Sequence, residues 1–200
     1  MADGRSFWKE GTKMKDIVLL IGRTGSGKST IARKVSELSN GKLSEVMSYA
    51  TRPKRPGEDM RPTHIFITPE EVKDFRGRMA AYTKIGEYEY FTTWDELMKH
   101  PVYVIDPRGE KDLRRNISGK GLDLRIHTFY VKVPEEERLK RVYGRDKNRS
   151  VTEARLRSED GQFSEFEKSL SSRGDEVIVL DNSEGKAMEC AWRILYILGM

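Results

Sequence analysis

An apolar run, Ile17-Val18-Leu19-Leu20-Ile21, leads directly into Gly22-Arg23-Thr24-Gly25-Ser26-Gly27-Lys28-Ser29-Thr30. Ile31, Val35 and Leu38 then follow at helical spacing. Strand, loop and helix therefore surround a G-x-x-x-x-G-K-[ST] pattern in the order a phosphate-binding loop requires. Glycines let the backbone curl until successive N–H groups point inward at an anion. The helix N-terminus adds its partial positive charge. Lys28 is placed to reach the β- and γ-phosphates of a nucleoside triphosphate, and the Ser29 hydroxyl to ligate Mg²⁺. The expectation is an ATP site lined by Gly22, Arg23, Thr24, Gly25, Ser26, Gly27, Lys28, Ser29 and Thr30.

The chain has 200 residues, enough for one domain with a mobile lid. Its net charge of +5 suits anionic ligands, and nucleotides suffice. Lys and Arg are interspersed with Asp and Glu and form no long basic tail, so nucleic acid is not expected as a partner. The lone cysteine, Cys190, lies in an apolar helical pattern and reads as a packed thiol in a reducing compartment. His64, His100 and His127 share no metal-ligand spacing. No apolar run approaches the roughly 18 residues of a membrane span. These features imply a cytoplasmic monomer or homodimer. Residues 1–13 read as a disordered leader, with Met14 as a candidate start.

Further strands are expected at Val46–Ala50, Ile65–Ile67, Val102–Ile105, Arg125–Val133 and Glu176–Leu180. A small β region runs from Ala80 to Phe91, broken at Gly86-Glu87. Thr68-Pro69-Glu70-Glu71 reads as a capped helix start. Helices are expected from Pro134 to about Arg145, from Val151 to about Ser172 and from Lys186 to Leu198. Strands alternating with helices predict an α/β fold with a parallel, doubly wound sheet. Ligands belong at its strand C-termini.

The second strong signal is Ser48-Tyr49-Ala50-Thr51-Arg52-Pro53-Lys54-Arg55-Pro56-Gly57-Glu58. Pro53 and Pro56 favour an extended chain with a three-residue repeat, which turns Arg52 and Arg55 to one side. Two guanidinium forks on one face suit a phosphate monoester.

With these two motifs in place, the chain resembles guanylate kinases. Those enzymes carry G-x-S-G-x-G-K-[GS]-T, followed by S-x-[ST]-T-R-x-x-R-x-G-E. The second motif is reproduced except at Ala50, and the order of patterns matches from about Asp16 to Leu198. The resemblance implies a P-loop three-layer fold spanning 14–200. It includes a monophosphate-binding region at about 46–92 and a helical lid at about 138–157. It also implies that Ser48, Arg52 and Arg55 bind the acceptor phosphate, with His64 where the family has a tyrosine. Tyr90, Phe91 and Thr92 match the family's Y-G-[ST] element, with Phe91 in place of glycine. Asp106 ends an apolar strand, where it could order Mg²⁺, contact the acceptor base, or cap the helix after Gly109.

Two base-reading carboxylates are missing. Guanylate kinases place a glutamate about nine residues before the Y-G-[ST] tyrosine, and this chain has Ala80 and Ala81 there, then Tyr82 and Thr83. The family's D-x-D-x-x-G becomes Val104-Ile105-Asp106-Pro107-Arg108-Gly109. Glu87 and Glu89 are candidate substitutes from the same β region.

Arg138, Arg141 and Arg145 share a helix face, and Arg149 and Arg155 follow the polar turn Asp146–Ser150. By resemblance, Arg145 and Arg155 close on the bridging phosphates, with Arg141 a weaker candidate. Arg138 reads as a surface arginine paired with Glu135, Glu136 or Glu137. Val179-Leu180-Asp181-Asn182 resembles the family's adenine-pocket segment, which makes Asn182 an ATP contact.

The implied reaction is transfer of the γ-phosphoryl of Mg-ATP to a nucleoside monophosphate, GMP or dGMP first. Lys28, Arg52, Arg145 and Arg155 carry the chemistry, and Ser29 and Asp106 are the metal candidates. The alternatives are an enzyme with another nucleotide or a sugar phosphate as acceptor, and a nucleotide- or phosphopeptide-binding module without turnover.

Overall fold

The computed structural model describes residues 15–54, 64–145 and 149–200. The leader, Arg55 to Glu58 of the second motif, and Asp146 to Asn148 of the polar turn lie outside the described residues.

The main sheet is parallel, in the order β6-β1-β7-β8: β1 is Lys15–Ile21, β6 Val102–Val104, β7 Leu124–Lys132 and β8 Val177–Asp181. Both faces of β1 are buried, which explains its unbroken apolar run. Val18 and Leu20 pack with Phe129 and Val131 under α1 (Lys28–Leu38) and α6 (Ala187–Ile197). Ile17, Leu19 and Ile21 point the other way, towards Leu113 of α3 (Pro107–Lys120) and Phe163 and Phe166 of α5 (Arg149–Arg173). Cys190 is buried in the first cluster, and burial pushes its thiol up to about 11. It is the inert packed thiol expected of its position.

The smaller sheet has the order β3-β2-β5-β4: β2 is Ser48–Ala50, β3 His64–Phe66, β4 Met79–Ile85 and β5 Tyr88–Thr93. The β4–β5 hairpin turns at Gly86, whose φ of 62° fits the glycine found there. α3 covers the edge strand β4. Asn116 donates to the Ala80 carbonyl at 3.0 Å, and the Tyr82 N–H donates to Asp112 at 2.9 Å.

The expected helix at Thr68 is a 3-10 turn, Pro69–Asp74, with the Thr68 N–H donating to Glu71 at 2.7 Å. A short helix, α2 (Trp94–Lys99), follows β5 directly and is not among the expected elements. Its N-cap, Thr93, is also the last strand residue and accepts from the Glu96 N–H at 3.3 Å. α4 (Glu135–Arg145) and α5 form a helical pair where the sequence predicts a lid.

Candidate active site

The loop from Gly22 to Gly27 leaves β1 at the C-terminal edge of the main sheet and enters α1 with Gly27 at φ 92°. No side chain caps α1, so its first N–H groups are left to the site. Ser29 and Thr30 stand exposed on the first turn. The Lys28 ammonium donates to the Gly22 carbonyl at 2.5 Å and the Arg23 carbonyl at 3.1 Å, curling back over its own loop.

Burial pushes the Lys28 pKa down to about 8, with Arg155, Arg145 and Arg138 adding to the shift and Glu159 opposing it. Arg155 and Arg145, expected from the sequence to close on the phosphates, thus contribute to the positive field at Lys28. The sign of a pH effect follows. Phosphates favour the charged ammonium, so nucleotide binding restores the proton that the free enzyme loses above about pH 8. The ratio kcat/KM for ATP is expected to fall as pH rises through 8, by up to about tenfold per unit, while kcat at saturating ATP holds further into alkali. A pH profile of both constants checks this.

Several site residues sit differently from their sequence expectation. Arg23 turns its side chain away from the loop mouth onto α5. It donates to Glu167 at 2.9 Å and Asp160 at 2.5 Å and lies over Phe163. Its backbone stays in the loop, and its guanidinium ties the loop to the helix. Asn182 is buried beneath the loop, where its amide donates to the Ser26 carbonyl at 2.7 Å. The amide thereby braces the loop from below.

Arg138 is not a surface arginine. It is 5% exposed and donates to the Thr24 carbonyl at 3.2 Å, while Glu135 lies 3.5 Å away. The α4 face that carries it packs on the loop, which periodicity alone did not reveal. Arg141 donates to the Asn182 carbonyl at 2.8 Å and pairs with Glu137.

Residues expected from the sequence to bind the acceptor share one face of the smaller sheet. Strand pairing sets Ser48 beside His64, Ala50 beside Phe66 and opposite Tyr90, Thr83 opposite Tyr90, and Ala81 opposite Thr92. Partners in register share a face, so Ser48, His64, Tyr90, Thr92 and Thr83 line one surface. His64 and Tyr90 meet edge-on, with ring centroids 6.0 Å apart. Arg52, 6% exposed, follows β2 and lies over the Phe66 ring at 5.1 Å. Tyr49 and Phe91 stack on the opposite face at 5.0 Å. Phe91 therefore stands where the family has glycine without obstructing the site.

Asp106 joins this surface from the main sheet. It caps α3, which begins at Pro107 rather than after Gly109: Oδ1 accepts from the Arg108 N–H at 2.8 Å and the Gly109 N–H at 3.0 Å. The Thr83 hydroxyl lies 3.5 Å from the same oxygen. Burial raises the Asp106 pKa, with those hydrogen bonds opposing.

Neither candidate substitute for the missing carboxylate reaches the surface. Glu89 sits on the opposite face, accepting from the Tyr82 hydroxyl at 2.8 Å, and Glu87 lies exposed in the hairpin turn. Ala81 is almost wholly buried. The polar groups of this face nearest Ala81 are the Thr83 and Thr92 hydroxyls, with Asp106 beside Thr83. The Thr92 Oγ1 is fully buried and has no hydrogen-bond partner. Thr83 was not among the sequence candidates, although its i+2 spacing from Ala81 puts it on the same strand face.

Among the described residues no cluster of His, Cys, Asp or Glu forms a metal cage, and no helix is long and apolar enough to cross a membrane. Mg²⁺ in phosphoryl transfer relies on few protein oxygens plus phosphates and water. An exposed Ser29 hydroxyl beside the loop fits that demand.

No protein-family model matches the chain. Its relatives include the guanylate kinase of Chlamydia felis, 30% identical over 172 residues, covering 80% of this chain and 78% of that one. The guanylate kinase of Legionella pneumophila strain Paris is 25% identical over 187 residues, covering 87% and 82%. Among solved structures, guanylate kinase from Anaplasma phagocytophilum matches with a TM-score of 0.61 at 20% identity, over 94% of this chain and 86% of that chain. That likeness is one of fold. With 30% identity to the Chlamydia felis protein along most of both sequences, the chain belongs to the guanylate kinase family of P-loop nucleoside monophosphate kinases.

Proposed function

We propose that this enzyme transfers the γ-phosphoryl of Mg-ATP to GMP or dGMP, yielding ADP and the nucleoside diphosphate. The observation that carries the reading is the geometry of the loop: the Lys28 ammonium turns back over the Gly22 and Arg23 carbonyls at the uncapped start of α1, in a positive field to which Arg155 and Arg145 contribute. A binding module has no use for that concentration of positive charge. Phosphoryl transfer needs it, because catalysis there is positioning plus stabilisation of charge on the transferred group.

In this reading the loop N–H groups and Lys28 hold the donor phosphates. Ser29 would hold Mg²⁺, which when bound would supply neutralisation of the phosphate charge. Arg52 fixes the acceptor phosphate, and its packing on Phe66 limits its freedom. Arg55, outside the described residues, is proposed as its partner in the clamp. Ser48, His64, Tyr90 and Thr92 complete the acceptor surface, with Asp106 at the base end. Arg145 and Arg155 cover the transferred group, and lid closure excludes water.

Arg52→Ala is expected to raise KM for the monophosphate by roughly 10- to 100-fold, the worth of a charge-assisted bond, and to leave KM for ATP within about twofold. Steady-state kinetics with each substrate varied checks this, and an unchanged acceptor KM would mean the clamp is misassigned.

The acceptor itself is tested by ADP production against the common ribo- and deoxyribonucleoside monophosphates. Selective turnover with GMP or dGMP is the expected result. Selective turnover with another monophosphate would mean that Thr83, Thr92 and Asp106 serve a rebuilt base pocket. Silence across all of them would favour a non-nucleotide acceptor.

A further inference from the structure

Glu159 lies on α5, one turn after Arg155, and is buried against the phosphate loop. Its carboxylate accepts the Thr24 N–H through both oxygens, at 3.1 and 3.2 Å, and the Thr24 hydroxyl at 2.9 Å. The Arg138 guanidinium stands 3.6 Å from it. Among the charges acting on Lys28, Glu159 counters the cations Arg155, Arg145 and Arg138. A buried carboxylate is costly unless paired and hydrogen-bonded, and here Thr24 of the loop supplies the hydrogen bonds and Arg138 of α4 the opposite charge.

We propose that Glu159 is the internal counter-anion of the phosphate site, and that it sets the affinity for the nucleotide's terminal phosphate. The inference rests on the kinase reading above. Thr24 belongs to the loop whose N–H groups cradle phosphate oxygens, and its N–H is engaged by Glu159. A carboxylate and a terminal phosphate are both anions that seek this donor and the same surrounding cations. They compete, and binding of a triphosphate must displace the carboxylate or bear its repulsion. Glu159 is thus a positioning residue that acts through Thr24 and Arg138.

The test is calorimetric titration of the full chain and Glu159→Gln with Mg-ATP, Mg-ADP and magnesium tripolyphosphate, alongside steady-state kinetics. Glutamine keeps the size and an acceptor for the Thr24 N–H but removes the charge. ATP and tripolyphosphate are expected to bind about 5- to 50-fold tighter to Glu159→Gln, with a smaller gain for ADP. KM for ATP should fall while KM for the monophosphate stays put. Glu159→Ala, which removes the charge without needing room for an amide, should tighten ATP in parallel if glutamine is poorly tolerated. Affinities equal to or weaker than wild type in both variants, with only a lower melting temperature, would make Glu159 a mere brace and overturn the inference. Wild-type protein that binds neither ATP nor tripolyphosphate would instead remove the kinase reading on which it rests.

Discussion

Lys28→Ala is expected to lower the rate of phosphoryl transfer by about 10²- to 10⁴-fold while the protein still folds. With the Arg23 guanidinium tied to α5, the Lys28 ammonium brings a full charge on a flexible stem to the phosphates, so it can follow the phosphoryl group as charge develops. Its present partners are the Gly22 and Arg23 carbonyls, at 2.5 and 3.1 Å. Those carbonyls do not need it for the fold: the loop is also held by Asn182 on Ser26, Arg138 on Thr24 and Arg23 on α5. Alanine is moreover a better helix former than lysine at the start of α1. Turnover should therefore vanish with little change in the urea midpoint. Turnover within tenfold of wild type would sink the assignment of Lys28, and loss of folding would show that its role is structural.

Gly27→Ala is expected to damage both stability and nucleotide binding. Gly27 holds a φ of 92°, a conformation L side chains rarely adopt, and a Cβ there would stand 2.2 Å from the Asn182 amide nitrogen. Asn182 cannot swing aside without losing its bond to the Ser26 carbonyl and leaving a buried amide without its acceptor. Backbone strain and the lost bond together predict about 2–4 kcal/mol of destabilisation. The same distortion turns the loop N–H groups off their common focus, so ATP affinity should drop by at least about tenfold. Denaturant unfolding and ATP titration read the two effects separately. Wild-type behaviour in both would mean that the loop tolerates a side chain, contrary to its packing.

The doubly wound core was legible because its strands are buried on both faces, and Ile17 to Ile21 therefore reads as an unbroken apolar run. The loop was legible because phosphate binding needs backbone, and glycines at fixed positions betray it. The α2 helix was hidden because Thr93 serves at once as strand residue and N-cap. Arg138 and Glu159 were hidden for a different reason. Charged residues on a helix normally face water, and nothing in the local sequence distinguishes the pair that is buried against Thr24. Arg23 shows the same division: motif position places its backbone, while its side chain answers to Asp160 and Glu167, far along the chain. Residues paired across more than a hundred positions are settled by tertiary packing, beyond what periodicity records.

The same limit applies to the acceptor surface. Ser48 and Arg52 were found through their motif. That Glu89 faces away with Tyr82, while Thr83 faces Asp106, is a matter of strand register. A slip of one residue would have exchanged them.

The most direct test of the central claim follows the phosphoryl group itself. The protein is incubated with ATP labelled in its γ-phosphate, Mg²⁺ and a pool of nucleoside monophosphates, and the labelled products are separated. Label in a nucleoside diphosphate, lost in Lys28→Ala, is the predicted result. Label that stays in ATP, or appears only as inorganic phosphate, would contradict the assignment of this chain as a nucleoside monophosphate kinase.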